Sequence, residues 1–206
     1  MDQPNNALRA EITAIFARAG IAPGQSARGS APVISPGQRA AADTDGNLRW
    51  VLTTEQPATV WDWERFDFVA EVLRMEGLRL PAVGQVPLLD SHARGSVDDQ
   101  LGSVTDFARA TSGDFAAIDG LTRWAADDKS QRTRQKVLDG HITDGSVGYL
   151  VTRSIWVPEN TEAAIMGTIY RGPIKVSTEW ELKEFSITPI GADTLAKVRG
   201  RLATCR

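Results

Sequence analysis

Cysteine is all but missing. The single one, Cys205, stands at the C-terminal end of the sequence, so no internal disulfide framework can form and the redox setting leans cytosolic. Chain ends are rarely ordered enough to hold a nucleophile, which weighs against a catalytic role for Cys205. Histidine is nearly as scarce, with two in 206 residues, so the search for a general base is short. An excess of either charge is also lacking: 23 basic residues face 26 acidic ones, and such a balance gives no field that would draw nucleic acid or an anionic membrane. No apolar run approaches the ~20 residues that span a bilayer. Met1 to Gly20 interleaves charges with its apolar positions, which is not the pattern of a secretory h-region. The expectation is a soluble protein that acts where it is made, without membrane or specific nucleic-acid partners.

What is present falls into two parts. Leu8, Ile12, Ile15, Phe16 and Ala19 recur at helical spacing, and Gly20 follows as a stop, so Ala7 to Ala19 predicts a short amphipathic helix. From Ala22 to Gly46 prolines, glycines, serines and alanines dominate, a composition that buries too little apolar surface to offset chain entropy. Residues 1–46 therefore read as a helix with a flexible linker, and 47–206 as the main domain. In that domain short apolar segments alternate with Gly and Pro: Leu48 to Thr53, Ala58 to Trp63, Phe66 to Met75, Val86 to His92, Ser146 to Thr152, Gly167 to Tyr170, Ile174 to Thr178 and Phe185 to Thr188. These predict strands, for which a closed or highly curved sheet is economical. One helix is expected over Lys129 to Leu138, capped by Asp127 or Asp128 and stopped by Gly140. Its basic residues Lys129, Arg132, Arg134 and Lys136 read as a solvated face. A second helix is expected to begin near Ala192, with Leu195 and Val198 on its apolar side.

Hydrolysis by serine needs a hydroxyl beside a base, a group that fixes the base, and donors for the developing oxyanion. His92 ends an apolar strand where it turns polar, the place at which a strand hands a side chain to a cleft. Asp90 shares its face, because residues i and i+2 of a strand point the same way. His141, just past a helix-stopping glycine, suits a cap better than a base. Ser146 stands between Gly145 and Gly148 at the entrance to an apolar strand, with room beside it for a substrate backbone. A strand rather than a helix follows, and Asp144 replaces the first glycine, so this is not the G-x-S-x-G elbow of α/β-hydrolases. Glu181 and Glu184 lie ahead of a further apolar strand, and either carboxylate can reach a histidine nitrogen. Asp90, His92, His141 and Asp144 lack metal-ligand spacing. The six tryptophans read as core or cleft material.

Three segments together resemble one family, the prohead maturation proteases of tailed bacteriophages. Gly84 to His92, "GQVPLLDSH", resembles the strand that ends in the family's catalytic histidine. Asp139 to Tyr149, "DGHITDGSVGY", resembles its Ser-x-Gly-Tyr nucleophile segment. Glu181 to Asp193, "ELKEFSITPIGAD", resembles its Glu-hydrophobic-Ser strand and small-residue turn. Their order and spacing also agree, with the serine roughly 50 residues after the histidine and the acidic strand roughly 40 further on. The resemblance covers about Phe66 to Val198. It implies an α+β fold, a small curved β-barrel wrapped by helices as in the herpesvirus assemblin proteases. It makes Ser146 the nucleophile, His92 the base and Glu184 the third member, with Glu181 and Asp90 still open for that role, and it implies no cofactor and no metal. The implied role is a serine endopeptidase of virion maturation in the host cell cytoplasm, inside the immature phage capsid. Its substrates would be major capsid protein, scaffold segments and the chain itself, and a homo-oligomer is compatible with that role. A noncatalytic head-assembly or scaffolding protein of the same fold is the alternative, and a hydrolase of small esters is a second.

Overall fold

A computed structural model of the chain describes residues 42–199, residue 44 excepted. The helix expected over Ala7 to Ala19, most of the linker, and Cys205 lie outside the described residues. In chain order the elements are β1 (Leu48–Thr54), β2 (Ala58–Asp62), β3 (Asp67–Leu73), β4 (Leu78–Arg79), β5 (Val86–Asp90), β6 (Gln100–Ser112) and β7 (Phe115–Trp124). There follow α1 (Asp128–Leu138), β8 (Asp144–Val157), β9 (Glu162–Ile165), β10 (Thr168–Arg171) and β11 (Ile174–Thr188).

Nine strands form one sheet, ordered β1-β7-β6-β5-β11-β3-β2, with β4 and β8 also pairing to β11, while β9 and β10 form a separate hairpin. The long strand β11 organises the whole. Along one edge it meets β3, β4 and β5 in succession, all parallel, and along the other it runs antiparallel to β8 for nearly its full length. Its sequence explains this: Val176, Trp180, Leu182, Phe185 and Ile187 are buried and join the apolar faces of neighbouring strands in two clusters. The larger cluster gathers Trp50, Leu52, Leu88, Leu101, Trp180 and Phe185, with the Trp50 and Phe185 rings edge-to-face at 5.4 Å. Such pairs add to the burial of their area. The smaller one joins Ala70, Val72, Val157, Ile165, Ile174 and Val176.

The expected small β-barrel wrapped by helices is not what forms. Strands dominate, α1 is the single α-helix among the described residues, and the sheet is open. The second helix expected from Ala192 is replaced by a pinned turn and an extended strap. Asp193 accepts hydrogen bonds from Thr53 Oγ1, Thr54 N, Thr54 Oγ1 and Leu195 N, and these compete with the helical backbone pattern. Beyond it Ala196 and Val198 are buried with the two-residue period of extended chain. Isolated backbone bonds, Gly145 N–H to Ala196 O and Val51 N–H to Lys197 O, tie this strap to β8 and β1.

The expected helix is present. Asp127 caps it by accepting from Ser130 N and Oγ at 3.0 and 2.6 Å, and Gly140 follows with φ +79°, a conformation in which glycine carries no Cβ penalty. Its basic residues are not all solvated. Lys129 Nζ lies 3.0 Å from Asp90 Oδ2, and Arg134 Nε donates to Gly46 O.

Candidate active site

The site is built where β5 ends against β11. Asp90 is level with Ile187 in the parallel register, and the chain then turns away through Ser91 and His92, with φ of 50° and 62°. Left-handed conformations in non-glycine residues cost of order 1–3 kcal/mol each and persist only where neighbours over-determine them. Here β11 and the turn do so: Ser91 N–H donates to Ile187 O, Ala93 N–H to Asp90 O, and His92 N–H to Ser186 Oγ at 3.0 Å.

The turn carries the His92 ring back over β11. His92 Nδ1 stands 2.6 Å from Glu184 Oε1. Since a carboxylate accepts, the proton of the neutral ring sits on Nδ1 and leaves the Nε2 lone pair free. The Glu184 side chain is 3% exposed, so its charge requires internal partners. It has them: Oε2 accepts from Ser186 Oγ at 2.9 Å and Oε1 also from Arg94 Nη2 at 3.2 Å. The His92 side chain is 40% exposed and so open to solvent.

Ser146 enters from β8. It is directly opposite Ser186 in the antiparallel register, and Gly148 is opposite Glu184. Opposed residues share a face with Cβ atoms about 4.5–5.5 Å apart, so Ser146 lies on the face that carries Glu184 and Ser186, one strand over from the position His92 covers. It is half-buried, and among the described residues its hydroxyl forms no hydrogen bond, to His92 or to any other group.

The two glycines serve packing rather than substrate access. A Cβ on Gly145 would lie 2.1 Å from Phe185 Cζ, and one on Gly148 would lie 2.1 Å from Glu184 Oε1 and 2.7 Å from Arg94 Nη2. Gly148 thus leaves the space that the buried carboxylate occupies. Beside Glu184 opens a cleft of about 500 Å³ whose lining includes Pro87, Leu89, Arg94, Val97 and Lys183; His92 and Ser146 are not part of that lining, and Ser146 instead lines a separate cavity with Tyr149 and Asp193.

Of the three carboxylates open for the third position, Glu184 alone contacts His92. Glu181 Oε1 pairs with Lys183 Nζ at 2.6 Å, and Asp90 pairs with Lys129. His141 is away from this cluster, its N–H bonded to Lys136 O at the helix end. Asp144, next to the Ser146 segment, forms an ion pair with Lys197. Burial would raise its carboxyl, but Lys197, Thr143 and the Gly191 N–H together hold it below the usual carboxylate range. Ser186 and Arg94 are the residues that sequence reasoning passes over. For Ser186 the signal is there, because it stands two positions from Glu184 on one strand and so shares its face.

The chain matches no family model, no curated protein and no solved structure. Among the described residues no helix is long and apolar enough to cross a membrane.

Proposed function

We propose that the protein is a serine endopeptidase in which Ser146 is the nucleophile, His92 the general base and Glu184 the carboxylate that orients the base. The observation that carries this reading is the 2.6 Å contact between His92 Nδ1 and a buried Glu184, with Ser146 on the same sheet face. His92 Nε2 takes the proton as Ser146 Oγ attacks the scissile carbonyl, and Glu184 stabilises the imidazolium that results. His92 then gives that proton to the leaving amine, and water hydrolyses the acyl-enzyme by the same route reversed. On the resemblance of its three segments, the substrates are scaffold and capsid-protein segments of an immature phage head, together with the chain itself.

Coexpression with the neighbouring capsid protein, followed by mass measurement of the products, tests the role. Defined cleavage that disappears in Ser146→Ala supports it, and an uncleaved capsid protein with both chains folded and soluble refutes it. The missing hydrogen bond between Ser146 and His92 favours one other reading, a noncatalytic head-assembly protein that keeps the fold. That reading expects assembly to be indifferent to Ser146→Ala.

A further inference from the structure

We infer that Ser186 is a positioning residue for the general base, a hydroxyl clamp that sets both the backbone of His92 and the rotation of the Glu184 carboxylate. The inference rests on the reading of Ser146, His92 and Glu184 given above.

Ser186 is fully buried, and its hydroxyl has two partners. It accepts the His92 N–H at 3.0 Å and lies 2.9 Å from Glu184 Oε2. A backbone N–H can only donate, so the lone pairs of Oγ face His92 and its one proton is committed to the carboxylate. The direction of both bonds is therefore fixed. Because His92 Nδ1 bonds the other carboxylate oxygen, the contacts close a ring: imidazole to Glu184, Glu184 to Ser186, Ser186 to the backbone of the same histidine.

Each part of that ring answers a particular freedom. A glutamate carboxylate rotates broadly about its last torsion, and the bond to Oε2 selects the rotation that turns Oε1 toward Nδ1. His92 sits at φ 62° after Ser91 at 50°, a turn that relaxes readily unless it is held. The bond to its N–H holds it from β11, the strand that also supplies Glu184. Ser186 is opposite Ser146 in the register, so the clamp is anchored at the level of the proposed nucleophile. Alanine at position 186 would leave the His92 N–H and Glu184 Oε2 without this partner while removing almost no volume.

The test uses the full chain with Ser186→Ala and Ser186→Thr, Thr keeping the hydroxyl. Peptide cleavage is measured at a temperature where the circular dichroism of each variant is native. In parallel, nitrogen chemical shifts of the imidazole rings report which His92 nitrogen carries the proton, with His141→Gln used for assignment. The expected result for Ser186→Ala is a fall in kcat of ~10–100-fold, the scale seen for partners that orient metal-ligating side chains, with KM within about twofold, while Ser186→Thr restores most of it. The neutral His92 ring is expected to be protonated at Nδ1 in the unsubstituted protein and to mix both tautomers in Ser186→Ala. A native fold with unchanged kcat, an effect confined to KM, or an unchanged tautomer would each overturn the inference. If the unsubstituted chain cleaves nothing and the tautomer still responds, the endopeptidase reading fails and the clamp stands.

Discussion

Replacing Gly148 by alanine puts a methyl group where the site already has a carboxylate. The added Cβ would lie 2.1 Å from Glu184 Oε1 and 2.6 Å from its carboxyl carbon. An ordinary contact needs roughly 3.4 Å, so one partner must retreat by about 1.3 Å in a region packed like a crystal. Glu184 has little freedom to do so, being buried and bonded to His92, Arg94 and Ser186. Overpacking of this kind costs typically 1–3 kcal/mol, which the fold can absorb. The proposed catalytic geometry cannot, since a misplacement of ~1 Å costs on the order of 100-fold in rate. Gly148→Ala is thus expected to remain folded, with a melting temperature lower by ~2–12 °C at ~2–4 °C per kcal/mol, and to lose ~100-fold or more in kcat. Calorimetry and peptide-cleavage kinetics on the same preparation decide the matter. A folded Gly148→Ala variant with at least half the original kcat would refute the reasoning, because the Glu184 carboxylate would then be dispensable or differently placed.

Gly145→Ala drives a methyl into the buried Phe185 ring, and its main effect is expected on stability, a loss of ~1–3 kcal/mol read by denaturant unfolding; an unshifted midpoint would contradict that packing. Glu184→Gln should cut kcat far more than Glu181→Gln or Asp90→Asn, since only a carboxylate bonded to His92 stabilises the imidazolium, and equal losses from all three would reject the assignment. At high pH, Tyr149, raised by burial and by the Glu71 carboxylate beside it, and Tyr170, raised by burial against the opposing pull of Arg74, stabilise the folded state fully below the unfolded pKa of ~10. That contribution is lost as pH rises through their folded values, so absorbance at 295 nm should show Tyr149 ionising only as the protein unfolds and Tyr170 ionising above the free value; two tyrosines ionising near pH 10 in the folded state would contradict it. Asp144 has the opposite sign: its depressed carboxyl stabilises above the unfolded pKa of ~3.9 and that contribution is lost as pH falls through the folded value. The difference in melting temperature between the unsubstituted protein and Asp144→Asn should therefore shrink toward low pH.

The parts of this architecture that can be read from the sequence are those where one physical signal acts alone. The strand read over Val86 to His92, which ends at Asp90, and the capped helix over Lys129 to Leu138 are of this kind, since their apolar runs, caps and stops agree. The hairpin of β6 and β7 escapes notice because its periodicity is broken. A bulge between Thr105 and Ala108, with φ of 52° at Asp106, shifts the buried face out of phase. Strand β11 reads as two short strands because Glu179, Glu181 and Lys183 interrupt the apolar run, yet they alternate with buried Trp180 and Leu182. The strap after Asp193 reads as a helix because Leu195 and Val198 are three apart, and only the distant partners Thr53 and Thr54 reveal the turn. At the candidate site, His92 and Ser146 can be singled out from their segments as candidates. The choice among Glu184, Glu181 and Asp90 cannot, because all three have a cation beside them and only the turn after β5 brings His92 Nδ1 to Glu184.

The central claim, that Ser146 is a nucleophile served by His92 and Glu184, is tested most directly with a serine-directed fluorophosphonate. Ser146 Oγ displaces fluoride from phosphorus, and peptide mass spectrometry locates the adduct. One adduct is expected, on Ser146, formed more slowly by on the order of 100-fold or more in His92→Ala, in keeping with the unit behaviour of such residues, and slowed in Glu184→Gln. A folded protein that gains no adduct, or gains it at Ser146 at the same rate in the absence of His92, would contradict it.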